Sequence, residues 1–456
     1  MSSTLIISVS GLRGITGSGL TPQVIDDYTA AYAAWLDASL AEGTGRATLL
    51  VSRDGRAGGK EIASQVADVL NCAGFDVVIG GVVATPTVGV LIRNLKLAGA
   101  IQITASHNPA EYNGMKLYTS SGRILNQQQG EQVLQGYESK SRVADATKGS
   151  TSELDDTNSE HIRLLMASVD ADSIRSKGVK VFLDCNHGAG SPLGRRLLSD
   201  LGCDVTVLGG EPNGAFAHGA EPTRENLLHV GQAVVDGGFD IGFCQDPDAD
   251  RLAVLDEQGD YIGEELTMAL CLKSVLPRLS GPVVVNCATS GINRLIAEQF
   301  DVACYESAVG EANVVEKMDA VEAVFGGEGN GGPIDPSIGF IRDSFVGMVR
   351  ILDLLAREEI SVSQIVSGLP VLAIEKTKIP IEPSCVAPLL DLVSDKFSGE
   401  KQSRQDGLKI TWPNGEWLLV RGSNTEPIVR AIAEGSSSER ALELCNFAAQ
   451  CAAQLE

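Results

Sequence analysis

The stretch A-I-Q-I-T-A-S-H-N-P, residues 100–109, decides how the chain is read. Ala100, Ile101, Ile103 and Ala105 form a short apolar run with partial alternation, the pattern of a buried strand, and Asn108 with Pro109 stops it. Ser106 and His107 therefore fall at a strand's end. In open α/β sheets ligands gather beyond the carboxyl ends of strands, so a hydroxyl beside an imidazole at that place can act as a nucleophile. A serine before a turn also serves simply to cap a backbone N–H. This segment by itself leaves both readings open.

Working outward, the first 140 or so residues alternate strand-like and helix-like segments, the rhythm of an α/β unit. Strands are expected at Leu5–Val9, Thr48–Val51 and Val77–Ile79, and helices at Pro22–Leu40 and Lys60–Ala73. S-G-L-R-G at 10–14 lies between the first strand and helix, where glycines let backbone approach a ligand and Arg13 can fork onto an oxyanion. Asn113 to Lys116 read as a turn into a short strand that points Lys116 back toward Ser106. The polar run Ser139–Ser159 reads as a connector.

A second α/β unit follows, with strands Val179–Leu183, Val205–Leu208 and Asp240–Cys244 and a helix at Pro192–Leu201. Its last strand runs into D-P-D-A-D-R at 246–251. Two carboxylates about 4 Å apart repel by roughly 4 kcal/mol at an effective dielectric of 20, so Asp246, Asp248 and Asp250 need a cation or must spread into water. Glu257 stands at the twelfth position from Asp246, as in a calcium loop, but the sixth position is Arg251 instead of Gly and the flanks read as strands. Three oxygen ligands beside an Arg suit a cation shared with a phosphoryl oxygen, the usual setting of magnesium.

A third α/β unit spans about Glu264–Ser367, with strands Val283–Asn286, Ala303–Tyr305 and Ala323–Phe325. The last of these leads into G-G-E-G-N-G-G at 326–332, which lacks the Lys-Ser/Thr pair of a phosphate loop and is suited to bring Glu328 and Asn330 to hydroxyl groups. The C-terminal part changes rhythm: Leu408–Trp412, Glu416–Val420 and Ile428–Glu434 alternate like antiparallel strands, and an amphipathic helix follows at Ser438–Gln454. Within it, R-G-S-N-T-E-P at 421–427 offers Arg421, Ser423, Asn424 and Thr425 to a dianionic phosphate.

Composition excludes several classes. A net charge of −23 over 456 residues argues against a nucleic-acid surface. Ten cysteines without a C-x-x-C and five scattered histidines argue against zinc and fit a reducing cytoplasm. Neither a signal peptide nor a membrane span is expected.

S-G-L-R-G, T-A-S-H-N-P, D-P-D-A-D-R, G-E-G-N-G and R-G-S-N-T-E-P, in this order, resemble the α-D-phosphohexomutases, the group of phosphoglucomutase, phosphomannomutase and phosphoglucosamine mutase enzymes. The resemblance implies three related α/β domains plus a smaller α+β C-terminal domain around a central cleft, with boundaries expected at 1–150, 151–257, 258–370 and 371–456. It implies that Ser106 carries a phosphoryl group and that Mg²⁺ is held by that phosphoserine with Asp246, Asp248 and Asp250. Arg13, His107, Lys116 and Arg251 take charge-stabilising or proton-transfer roles, Glu328 contacts the sugar, and the loop from Arg421 grips the substrate's phosphate. A hexose 1,6-bisphosphate is then the intermediate and activator. The resemblance departs from the commonest pattern at Asn330, often Ser, and at Glu311 in V-G-E, more usually His or Asp. Both bear on the sugar, for which glucosamine is the first expectation and mannose or glucose the alternative. A Mg-dependent phosphatase or kinase using Ser106 as a transient acceptor is the competing class, and a sugar-phosphate binding protein a third. The oligomeric state, monomer or homodimer, is left open.

Overall fold

The computed structural model describes residues 5–8, 11–40, 45–144, 146–423 and 428–455. The chain forms two compact units, Met1–Ser274 with Gly331–Ser363, and Val275–Asn330 with Gln364–Glu456.

The first unit holds a seven-stranded sheet in the order Leu5–Ser8, Gly11–Ile15, Tyr112–Thr119, Gly99–Ile103, Thr48–Arg53, Asp76–Val82 and Thr151–Glu153. Its centre is parallel, with Thr48–Arg53 between Gly99–Ile103 and Asp76–Val82. Leu49, Val51, Ile101 and Ile103 alternate onto one buried face against the helices Pro22–Ser39 and Gly59–Cys72. Full burial of such side chains contributes about 1.5–3 kcal/mol each. The first of these helices starts where Thr21 accepts from the Val24 N–H, with Pro22 just inside.

Three expectations are corrected here. Gly11–Ile15 is a strand, antiparallel to both Leu5–Ser8 and Tyr112–Thr119, so Arg13 stands on a sheet instead of in a connection between strand and helix. Asn113–Lys116 likewise lies inside the eight-residue strand Tyr112–Thr119. The connector 139–159 contributes Thr151–Glu153 as the sheet's edge, parallel to Asp76–Val82. Leu12, Met115 and Leu117 send side chains into the core from the first two, but glycine and polar neighbours mask the pattern, and Thr151–Glu153 is an exposed polar strand held by pairing.

The second sheet of this unit runs Leu252–Leu255, Ile241–Gln245, Lys180–Asp184, Asp204–Leu208. Ile241–Gln245 is buried at every position and pairs parallel with Lys180–Asp184 and antiparallel with Leu252–Leu255, which makes the intervening loop 246–251 a tight return at the strand's carboxyl end.

In the second unit Val283–Asn286 pairs in parallel with Cys304–Ser307 and Phe325–Glu328. The last strand begins two residues later than its apolar signal, so Glu328 ends a strand instead of sitting in a loop. A five-stranded antiparallel sheet follows, in the order Ala373–Pro380, Ile428–Gly435, Trp417–Gly422, Leu408–Thr411, Lys401–Ser403, covered by the helices Val386–Lys396 and Ser438–Ala452.

Candidate active site

Ser106 follows the fully buried strand Gly99–Ile103 and is itself buried, with a left-handed φ of +50°. A non-glycine residue holds that conformation only when its surroundings impose it. Arg56 imposes it. Its Nη2 donates to the carbonyls of Ser106 at 2.5 Å and Asn108 at 2.7 Å, and Nη1 to those of Pro109 at 2.7 Å and Tyr112 at 3.1 Å. Nε pairs with Asp54 at 3.0 Å, Asp54 accepts from Thr104 Oγ1 at 2.7 Å, and Thr104 Oγ1 accepts the Ser106 N–H at 2.9 Å. Burial pushes the Asp54 carboxyl above its ordinary range, against the pull of the Arg56 charge. Four carbonyls and one carboxylate thus fix the loop around one guanidinium, a use of Arg's rigid fork that Lys cannot reproduce.

Ser106 Oγ lies 3.3 Å from His107 Nδ1 and 3.3 Å from Asp246 Oδ2. The positive charge of Arg251, then burial, then the charge of Arg13 hold the His107 pKa down to about 2. At neutral pH the ring is therefore an uncharged hydrogen-bond partner.

Asp246, Asp248 and Asp250 are fully buried, and one oxygen from each lies within 4.8 Å of the others. Asp246 Oδ1 ties the loop together by accepting the N–H of Asp250 and of Arg251, both at 3.1 Å. Lys116 Nζ bridges Asp248 at 2.6 Å and Asp250 at 2.9 Å, Thr85 Oγ1 donates to Asp248 at 2.7 Å, and Arg342 donates to Asp250 at 2.8 Å. The carboxyls separate accordingly. Burial and two negative neighbours push Asp246 well up, while Lys116 draws Asp248 down against its burial and Arg342 does the same for Asp250. Asp248 Oδ1 and Asp250 Oδ1 are buried without a hydrogen-bond partner. Two orphaned carboxylate oxygens beside a third carboxylate are the donor set a hard divalent cation takes, so the residues present fit Mg²⁺. Arg13 donates to Asn108 Oδ1 at 3.1 Å. The loop 184–190 backs the triad from behind, Ala189 N–H donating to the Pro247 carbonyl at 2.7 Å.

The second unit carries the other expected residues. Glu328 is buried, and its Oε1 accepts from Asn286 Nδ2 at 2.7 Å and from the Gly310 N–H at 3.0 Å. Asn330 Nδ2 reaches Glu328 Oε2 at 3.5 Å, while Asn330 Oδ1 is buried without a hydrogen-bond partner. Glu311 opens the helix Glu311–Val321 immediately after Gly310. Arg421 is the penultimate residue of the strand Trp417–Gly422 and is held by Asp406 at 3.0 Å, and Ser423 donates its backbone N–H to the Ile428 carbonyl at 3.0 Å. Asn424 and Thr425 lie outside the described residues.

Four consecutive family models match the chain: phosphoglucomutase/phosphomannomutase α/β/α domain I over residues 5–144, domain II over 159–259, domain III over 263–371 and the C-terminal domain over 386–450. The chain belongs to the α-D-phosphohexomutases. It is 32% identical over 95% of each chain to a phosphoglucomutase/phosphomannomutase of Thermococcus kodakarensis. Against a probable phosphoglucosamine mutase of Methanosarcina acetivorans it is 31% identical, covering 93% of this chain and 94% of that one. A crystal structure of a phosphoglucomutase/phosphomannomutase family protein from Burkholderia thailandensis superposes with a TM-score of 0.84 at 25% identity, over 98% of both chains. The architecture is the four-domain α/β fold of these enzymes, and the chain is an isomerase that transfers a phosphoryl group within its substrate. Among the described residues no helix is long and apolar enough to cross a membrane.

Sequence reasoning passes over Arg56, Thr85 and Arg342, all of which touch the phosphohexomutase's Ser106 loop or acidic triad. Arg56 had a signal: R-D-G-R at 53–56 places an Asp and an Arg around a glycine at the end of a central strand. Thr85 and Arg342 had none, because they reach the triad from 163 and 92 residues away along the chain.

Proposed function

We propose that this phosphohexomutase interconverts glucosamine 6-phosphate and glucosamine 1-phosphate, with Ser106 as the phosphoryl carrier. The single observation that supports the carrier role most is the placement of Ser106 Oγ, 3.3 Å from the triad on a loop whose backbone is fixed by Arg56. Asp246, Asp248, Asp250 and a phosphorylated Ser106 would hold Mg²⁺, which when bound stabilises negative charge on phosphoryl oxygens. In the forward step the Oγ–P bond of phosphoserine breaks, a bond from phosphorus to a sugar hydroxyl oxygen forms, and that hydroxyl's proton ends on the released Ser106 Oγ. Arg13, Lys116 and Arg251 neutralise the oxygens of the transferring group, and His107 supplies a neutral hydrogen-bond partner. The bisphosphorylated sugar then turns by about half a revolution and returns its other phosphoryl group to Ser106, while Arg421 with Ser423, Asn424 and Thr425 grips the idle phosphate in both orientations. We assign these roles to four segments divided at 150, 257 and 370: phosphoserine loop, metal loop, sugar loop and phosphate clip.

The choice of an amino sugar is supported by the sugar loop's charge. Asn330 presents an unpaired carbonyl oxygen beside the Glu328 carboxylate. A carboxylate and a free neutral acceptor together favour a substrate bearing an ammonium group over one bearing only hydroxyls. The test is kcat/KM for glucosamine, glucose and mannose phosphates, with and without the matching 1,6-bisphosphate. Glucosamine phosphate is expected to be turned over best and to be activated by its bisphosphate. A preference for mannose or glucose would overturn the sugar assignment, and release of inorganic phosphate in place of isomer would overturn the mutase cycle.

A further inference from the structure

Asp406 is bonded both to Arg421 and to the segment that leads into Gly310. It sits in the turn between Lys401–Ser403 and Leu408–Thr411, ahead of Gly407, whose left-handed φ of +70° brings this turn against the backbone of Arg421. Arg421 Nε lies 3.0 Å from Asp406 Oδ1 and 3.0 Å from Oδ2. Asp406 Oδ2 also accepts the backbone N–H of Val309 at 3.0 Å. The next residue, Gly310, donates its own N–H to Glu328 Oε1 at 3.0 Å, and Glu328 is fixed further by Asn286 at 2.7 Å. One covalent step from Val309 to Gly310 therefore completes an unbroken line of hydrogen bonds from the guanidinium to the sugar-facing carboxylate, all within the second compact unit.

We propose that Asp406 is a positioning residue that sets the sugar loop and the phosphate-gripping guanidinium in register, so that sugar choice depends on a side chain that contacts neither sugar nor phosphate. The inference rests on the roles proposed above for Arg421 and Glu328. The chemistry of the position requires a carboxylate. Arg421 Nε reaches both carboxylate oxygens, and the Val309 N–H reaches Oδ2. A carboxamide has one oxygen, so in Asp406→Asn the NH₂ stands against Arg421 Nε in either orientation, and against the Val309 N–H as well when it takes the place of Oδ2. Loss at the first displaces the guanidinium; loss at the second frees the 309–311 segment and, through Gly310, one of the bonds that orient Glu328. Asp406 engages Arg421 through Nε, and the edge between Nη1 and Nη2 is the one that would take a phosphate dianion.

The experiment compares wild type, Asp406→Asn, Asp406→Ala, Arg421→Ala and Asn330→Ala, measuring kcat and KM with glucosamine, glucose and mannose 1-phosphates. Both Asp406 variants are expected to raise KM for all three substrates by about tenfold, the size of one charge-assisted hydrogen bond, and also to change the ratio of kcat/KM between sugars by about threefold or more. Arg421→Ala is expected to raise KM alike for all three and leave that ratio within about twofold. If the Asp406 variants raise KM but leave the ratio as it is in wild type, Asp406 serves Arg421 alone and the coupling is overturned. If Arg421→Ala leaves KM unchanged, the phosphate-clip reading fails, and this is seen in a different variant from the one that tests the relay. A ratio change shared by Asp406→Asn and Asn330→Ala, with a KM rise only in the former, supports the relay directly.

Discussion

The acidic triad and the sugar loop both bury carboxylates, and they satisfy them in opposite ways. Around Asp246, Asp248 and Asp250 the partners are charged: Lys116 and Arg342 within hydrogen-bond distance, and Arg251 Nε at 3.9 Å from Asp250. Glu328 accepts from neutral donors, a carboxamide from Asn286 and a backbone N–H from Gly310. Opposed charges in a buried site interact over several ångströms and tolerate little change, which suits the phosphoryl transfer proposed for this region. Neutral hydrogen bonds are short-ranged and directional, so they discriminate among hydroxyl and amino groups while adding little to the field on the phosphate. The difference teaches where to look for each property: rate in the charged region, sugar preference in the neutral one.

The comparison breaks first at Ser106. Ser106→Ala should lose the covalent phosphate and essentially all isomerase activity, because it removes the hydroxyl proposed as the phosphoryl carrier, whereas the fold should persist with a stability change within about 1 kcal/mol. Intact-mass measurement of phosphate on both proteins checks it. Phosphate undiminished in the variant would move the carrier role elsewhere and leave the charged region without its central group.

Asp248→Asn comes next. It removes the carboxylate that Lys116 draws down most strongly and one of the two orphaned oxygens, so Mg²⁺ affinity measured by titration calorimetry and turnover should fall together by about 10²-fold. Chelator-treated wild type should be inactive and recover with added Mg²⁺. Full activity after chelation would show that Lys116 and Arg342 alone supply the triad's countercharge.

The sequence exposes the charged region more fully than the neutral one, for a physical reason. Asp246, Asp248 and Asp250 stand within five residues and Ser106 with His107 at the end of an apolar run, so their convergence is local and readable. The strands beneath them, Gly99–Ile103 and Ile241–Gln245, are buried at every position and show as apolar runs. Arg342 and Thr85 converge on the triad only through the packing of distant segments, and nothing in their neighbourhoods announces it. In the sugar loop, Glu328 and Asn330 stand out among glycines, but Asn286, Gly310 and Asp406, to which Glu328 is linked, come from a strand end and two loops elsewhere in the chain. The strands misread were Gly11–Ile15, where glycine and polar neighbours mask the side-chain pattern, and Thr151–Glu153, where backbone pairing replaces it.

Asn330 sharpens the contrast at smaller amplitude. Asn330→Ala should change the ratio of kcat/KM between glucosamine and glucose phosphates by roughly 5- to 10-fold, the scale of one neutral hydrogen bond, with the rate for the better substrate little altered. Steady-state kinetics on the two substrates decides it. A uniform loss on both would place Asn330 with the charged machinery instead of with sugar choice.

The smallest effect expected extends the charged region one layer behind the triad, to the loop 184–190 that supports Pro247. There His218 Nε2 meets Asp184 Oδ2 at 2.6 Å, in the interior of the first unit. Burial opposes a charge on the ring, but the hydrogen bond to Asp184 and its negative charge outweigh burial, and the His218 pKa rises above its ordinary value. A raised folded-state pKa means that the folded protein binds the proton more tightly than the unfolded chain does. The stabilisation is therefore complete below the unfolded value of 6.5 and disappears as pH rises through the raised folded value. His218→Gln keeps a neutral donor in place of an imidazolium, so it should cost about 1 kcal/mol more at about pH 6 than at about pH 9, the difference between a charged and a neutral hydrogen bond. Thermal unfolding of both proteins at the two pH values measures it. Equal losses at both would show that Asp184 holds an uncharged ring, and that the pairing of opposite charges stops at the triad itself.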